Sequence, residues 1–122
     1  MSEPPNLDPA AIERLLRLGG REFVVKMIDL FFSYATEKIA EAQKAQAGSD
    51  WAALAKAVHP IKSSAGNVGA SRVQGLAQRI ESLARAAQAG ELGGLVDQLT
   101  RSLDAAKLEL EVKRKSLVSS PV

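Results

Sequence analysis

The 122 residues predict an all-α protein, an antiparallel up-down-up-down four-helix bundle with a short N-terminal capping helix. Two observations carry this expectation. Apolar residues recur every three or four positions through four long stretches, and nothing alternates with the period of two that a half-buried strand needs. Glycines at Gly19-Gly20, Gly48, Gly69 and Gly90 each close a periodic stretch, where a helix end favours the residue that enters the left-handed region without Cβ strain. Short links between long helices favour antiparallel neighbours.

The elements follow in order. Leu7-Asp8-Pro9 reads as a staple residue, an N-cap and an N1 proline, with Leu7 able to pack on Ile12, and opens a short helix over residues 9–18. The second helix, residues 21–47, is apolar on more than one face through Phe23, Val24, Met27, Ile28, Leu30, Phe31, Phe32, Tyr34 and Ile39, so it is central to the core or carries a binding patch. Ser49 and Asp50 are competent caps for the third helix, residues 50–68, whose stripe is Trp51, Leu54, Val58, Ile61, Ala65 and Val68. Ser71 and Gln74 have capping-box spacing for the fourth, residues 71–89, with Val73, Leu76, Ala77, Ile80, Leu83 and Ala87 inward. The fifth, residues 92–117, turns Leu92, Leu95, Val96, Leu99, Leu103, Ala106 and Leu110 inward. The bundle thus occupies residues 7–117, with disorder expected over 1–6 and 118–122.

Composition removes several function classes. No cysteine is present, which excludes disulfides, thiolate metal sites and cysteine nucleophiles; a single histidine excludes multi-histidine metal sites. No metal or cofactor of its own is expected. The start of the chain has neither the basic nor the apolar part of a signal peptide, and the most apolar run, residues 23–35, is broken by Lys26 and Asp29. A cytoplasmic protein with no membrane partner is expected. Sixteen Lys+Arg against fourteen Asp+Glu leave a net charge of +2, too weak for a dedicated nucleic-acid binder. The basic run Lys113-Arg114-Lys115 reads as a solvated helix end favoured by the helix dipole.

One segment carries chemistry: residues 59–70, His59-Pro60-Ile61-Lys62-Ser63-Ser64-Ala65-Gly66-Asn67-Val68-Gly69-Ala70. At about 100° per residue His59 lies roughly 135° from the centre of its helix's apolar stripe, so it faces solvent. Lys62, Ser63 and Gly66 follow at i+3, i+4 and i+7 on the same exposed side. A glycine inside a helix costs about 1 kcal/mol against alanine, and here it would leave clearance beside the imidazole. Lys62 places a cation there, and Ser63 is small. A neutral imidazole with clearance and a neighbouring cation suits attack on a phosphoryl group. The same residues also read as an ordinary solvated helix face.

The run His59-x-x-Lys62-Ser63-Ser64-Ala65-Gly66-Asn67-Val68-Gly69-Ala70 resembles the signature of histidine phosphotransfer (HPt) domains of two-component phosphorelays. Leu18-Gly19-Gly20-Arg21-Glu22-Phe23 and Gly48-Ser49-Asp50-Trp51 resemble further parts of the family pattern, and the likeness spans roughly residues 7–110. The resemblance implies the same four-helix bundle and a carrier, not an enzyme, with no ATP site. It makes His59 the residue phosphorylated at Nε2, Lys62 the charge-compensating partner, and Ser63 and Gly66 the small residues that allow approach. Asn67, Gly69 and Ala70 take structural roles in the turn. Glu81 stands where some members carry a glutamine that orients the histidine; a carboxylate there accepts from the imidazole, pairs with Lys62, or is simply solvated. Pro60 departs from the pattern and predicts a modest bend with His59 still exposed.

The implied partners are response-regulator receiver domains and a hybrid histidine kinase, with Mg²⁺ on the receiver and apolar residues around His59, Phe32 or its neighbours, as the docking face. A monomer is favoured. The rival reading is a non-catalytic docking module that binds receivers without phosphotransfer. A nucleic-acid or membrane-surface helix centred on residues 113–115 is the weaker rival, disfavoured by the low charge and the lack of interleaved aromatics.

Overall fold

The computed structural model describes residues 6–119. Four α-helices follow one another there: α1 (Pro9–Ala47), α2 (Trp51–Val68), α3 (Ser71–Arg85) and α4 (Leu92–Ser119), with a 3-10 turn at Ala89–Glu91. α1 packs on α2 and α4, and α3 packs on the same two, so consecutive helices are neighbours around a four-membered ring. This is the up-down-up-down bundle that the apolar stripes predict.

The expected short helix and second helix are one element with a break. Gly20 has φ 80° and ψ −173°, which turns residues 9–19 out of line as an arm. Gly19 beside it makes room for an aromatic ring: a Cβ there would stand 2.5 Å from the Phe23 Cγ. The Asp8 carboxylate accepts from the Ala10 amide at 3.1 Å and starts the arm. Leu7 packs half-buried against the core, which also takes in Ile12 and Leu15. At Gly69 (φ 78°) α2 ends in a left-handed turn, and the Asp8 amide donates to the Gly69 carbonyl at 2.7 Å. A Cβ on Gly69 would lie 2.6 Å from the Asp8 carbonyl oxygen and 2.8 Å from the Ala11 Cβ. The arm therefore caps the bundle at the α2–α3 turn.

The core is built from Val24, Ile28 and Phe31 of α1, Leu54, Val58, Ile61 and Val68 of α2, Val73 and Ile80 of α3, and Leu92, Leu99, Leu103 and Leu110 of α4, all nearly inaccessible. Packing of these stripes, more than intrinsic propensity, holds the helices. The α1–α4 seam is laced on its outside by Lys107 to Thr36, by Gln43 to Thr100 at 3.1 Å, and by Arg114 to Asp29 at 2.6 Å.

Four local expectations are corrected. α3 stops at Arg85, not residue 89, because Ala87 takes φ 53°; Ala87 is exposed and Ala84 fills the inward position. Ser71 and Gln74 form no capping box: Ala70 is the N-cap, the Ser71 hydroxyl sits near the Gly69 carbonyl, and the Gln74 side chain lies toward Gly66. α4 continues to Ser119, so the basic run precedes the last turn, which holds no basic residue; Arg114 is placed by its ion pair with Asp29 rather than by the helix dipole. Val118 and Ser119 are accordingly helical, whereas residues 1–5 and 120–122, where disorder is expected, lie outside the described residues. No helix is long and apolar enough to cross a membrane among the described residues.

Candidate functional site

α2 opens on Asp50, whose carboxylate accepts from the Ala53 amide at 3.1 Å. Its inward stripe of Leu54, Val58, Ile61, Ala65 and Val68 fixes the rotation of the helix and leaves the opposite side for His59, whose side chain is 56% exposed. The helix passes through Pro60 unbroken. The proline withdraws one amide from the ladder, and the carbonyl it releases belongs to Lys56, an exposed residue. One turn on, the Ser64 hydroxyl donates to the Pro60 carbonyl at 3.0 Å. His59 is thus exposed as expected, on a helix that continues through the proline.

α3 delivers the partner. Ala77, Ile80 and Ala84 turn inward, and Glu81, between them, is the one buried charged residue among those described. Three side chains converge on its carboxylate. The His59 Nδ1 lies 2.7 Å from Oε2, the Lys62 Nζ donates to Oε1 at 2.8 Å, and Arg85 donates to Oε2 through Nε at 3.2 Å and Nη2 at 2.7 Å. Burial alone would push the Glu81 carboxyl up; the hydrogen bonds from Lys62, Arg85 and His59, with the Lys62 charge, outweigh it and hold the carboxyl down at about 2.

An ionised carboxylate only accepts, so Nδ1 carries the proton in this contact. In a neutral ring the lone pair then belongs to Nε2, the nitrogen away from Glu81. The arrangement is a half-exposed imidazole whose orientation and neutral tautomer are set by a buried anion. Both roles open to Glu81 in the sequence, acceptor for the imidazole and partner of Lys62, are realised together, and the solvated-glutamate reading is excluded by its burial.

The other sequence candidates fall as follows. Lys62 is anchored on Glu81 and lies three residues from His59 along the same side of α2. Ser63 is exposed. Gly66 does not border open space: a Cβ there would meet the Gln74 Nε2, the far end of a flexible side chain from α3, at 2.7 Å. Phe32 turns away from α2 and lines a groove with Asp104, Lys107, Leu108 and Glu111 of α4. Its neighbours Leu30 and Tyr34 face the other way, into a groove with Ser64, Asn67 and Val68. Arg85 escaped the sequence reading, although its i,i+4 relation to Glu81 on a helix was there to be read. No group of three or more potential metal ligands occurs among the described residues.

A family model described as the Hpt domain matches residues 26–109, from the middle of α1 into α4. No curated protein matches the chain. Among solved structures, the chain is similar to the crystal structure of histidine-containing phosphotransfer protein B from Pseudomonas aeruginosa PAO1, with a TM-score of 0.85 and 23% identity, covering 93% of this chain and 97% of that one. At this identity the likeness establishes a shared helical bundle. The family match covers most of the chain and takes in the whole of α2 and α3: the chain belongs to the Hpt domain family, the phosphotransfer carriers of two-component phosphorelays.

Proposed function

We propose that His59 is the phosphoacceptor of this carrier. It takes a phosphoryl group from a receiver-domain aspartate, or from a histidine-kinase system, and passes it to the aspartate of another receiver. The observation that carries this reading is the Nδ1 contact to buried, ionised Glu81, which in the neutral ring assigns the lone pair to Nε2 of a side chain that is 56% exposed.

The Nε2 lone pair attacks phosphorus and forms the P–N bond as the bond to the aspartyl oxygen breaks; the carboxylate leaves with that electron pair. The ring then carries a positive charge while Nδ1 keeps its proton. The Glu81 Oε2 accepts from that Nδ1–H, 2.7 Å from Nδ1, and stabilises the cation without moving. Lys62, held by the same carboxylate, offsets negative charge arriving on the phosphoryl oxygens. Ser63 is small enough to leave the approach open. Mg²⁺ belongs to the receiver's acidic pocket, and its chemistry there is charge neutralisation on the phosphoryl group. The chain needs no ATP of its own for this exchange.

The test is transfer from phosphorylated receiver domains to the wild type and to His59→Gln. Phosphate that is labile in acid and stable in alkali should form on the wild type alone. Transfer to the glutamine variant, or binding without transfer by every receiver of a broad panel, would overturn the reading in favour of a docking module.

A further inference from the structure

The surroundings of His59 are unequal along α2. Toward the C-terminal end Lys62 is half-buried and already bound to Glu81, and the exposed residues are Ser63 on α2 and Gln74 and Gln78 on α3, polar and uncharged. Toward the N-terminal end a groove between α2 and α3 is lined by Trp51, Ala55, Lys56, Ala84, Arg85 and Ala87. Its floor is alanine and the half-buried Trp51 indole; its charged groups are two cations, and no carboxylate lines it. Lys56 lies three residues before His59, about 4.5 Å along the helix axis, and Trp51 about 12 Å. Lys56 makes no hydrogen bond or ion pair among the described residues. Arg85 spends Nε and Nη2 on Glu81, leaves Nη1 unused there, and is 63% exposed.

We propose that this groove is the part of the docking face that selects the partner, and that it takes an acidic side chain with an apolar neighbour from the receiver domain. The inference rests on the relay reading and adds to it the chemistry of the partner and the direction in which it sits. Charge complementarity names the occupant: an apolar floor rimmed by Lys56 and Arg85 fits an apolar side chain flanked by a carboxylate. Contiguity with His59 makes the occupant the same molecule that exchanges phosphate. On the Ser63–Gln74–Gln78 side the one cation, Lys62, is committed to Glu81, so a receiver lies with its acidic segment toward the start of α2.

Lys56→Glu tests this without touching the Glu81 cluster, because Lys56 is exposed and outside it. Three measurements are made together. His59 is loaded with phosphoramidate, a small donor that needs no docking. Transfer to and from a receiver panel is followed at low and high salt. The single tryptophan is labelled as 5-fluorotryptophan, and its ¹⁹F resonance is watched as receiver is added to His59→Gln protein. The expected result is phosphoramidate loading at the wild-type rate, a second-order transfer rate roughly tenfold lower at low salt, recovery of that gap at high salt, and a ¹⁹F resonance that moves on binding. Transfer by Lys56→Glu at the wild-type rate with every active receiver, or a ¹⁹F resonance unmoved by a receiver that exchanges phosphate, would overturn it. Loading by phosphoramidate with no transfer between wild type and any receiver overturns the relay reading itself, and this inference with it.

Discussion

Glu81→Gln is the substitution that most directly tests the strut beneath His59. The carboxyl sits at about 2 in the fold against 4.5 for a free side chain. That difference is worth about 3 kcal/mol of folding stability at neutral pH. Part of it returns when the carboxylate goes, because Lys62 and Arg85 are 25% and 63% exposed and regain water. The expected loss is therefore about 2 kcal/mol. The sign follows from the lowered pKa: the carboxylate's contribution is complete above about pH 4.5 and is lost as pH falls through about 2. Urea titrations of wild type and variant, read by circular dichroism across a pH series, should show a gap that is wide at neutral pH and closes in acid. Other titrating groups are common to both proteins and cancel in the difference. A gap that stays constant into acid, or no loss at neutral pH, would refute the reasoning, since the three donors would then be as well served by water as by Glu81.

Further outcomes follow from the backbone. Gly69→Ala should cost about 2 kcal/mol or more in thermal or urea unfolding, because it meets both the left-handed φ of 78° and a 2.6 Å approach to the Asp8 carbonyl. Gly75→Ala should instead raise stability by about 0.5–1 kcal/mol, since its Cβ meets nothing within 4 Å in the middle of α3. Asp50→Ala should cost about 1 kcal/mol by removing the acceptor for the Ala53 amide at the start of α2, and Asp50→Asn should restore most of it.

The sequence was most legible where period and punctuation agreed. The apolar stripe of α4 is buried residue for residue, and the break at Gly19-Gly20 and the cap at Asp50 are found where expected. Less could be read at the end of α3. Residues 86–89 are alanine-rich with good helical propensity, and the left-handed Ala87 is imposed by the chain's return toward α4, a tertiary demand without a local sign. The apparent capping box at Ser71 failed because the turn at Gly69 already spends the backbone groups around it: the Ala70 amide bonds the Ala65 carbonyl and the Ser71 amide bonds that of Gly69. At the site, the outward direction of His59 was a matter of helical angle alone. The burial of Glu81 was not, because a charged residue beside Ile80 reads as solvated until the donors from α2 are known to reach it. Phe32 illustrates the limit of a wheel drawn on a helix apolar all round: adjacent residues Phe31 and Phe32 serve the core and the α4 side, and only packing distinguishes them.

The bond from the Asp8 amide to the Gly69 carbonyl joins residues 61 positions apart, whereas α2 and α3 meet across a two-residue turn. Loop-closure entropy orders these events: the hairpin of α2 and α3 forms early, and the arm docks onto a turn that must already exist. In the reverse direction the arm is expected to swing on Gly20 and detach before the bundle opens, a sub-global event of its own. Hydrogen exchange at the Asp8 amide thus reports arm docking, separately from the amides of α2 and α3, which report the integrity of the scaffold that carries His59.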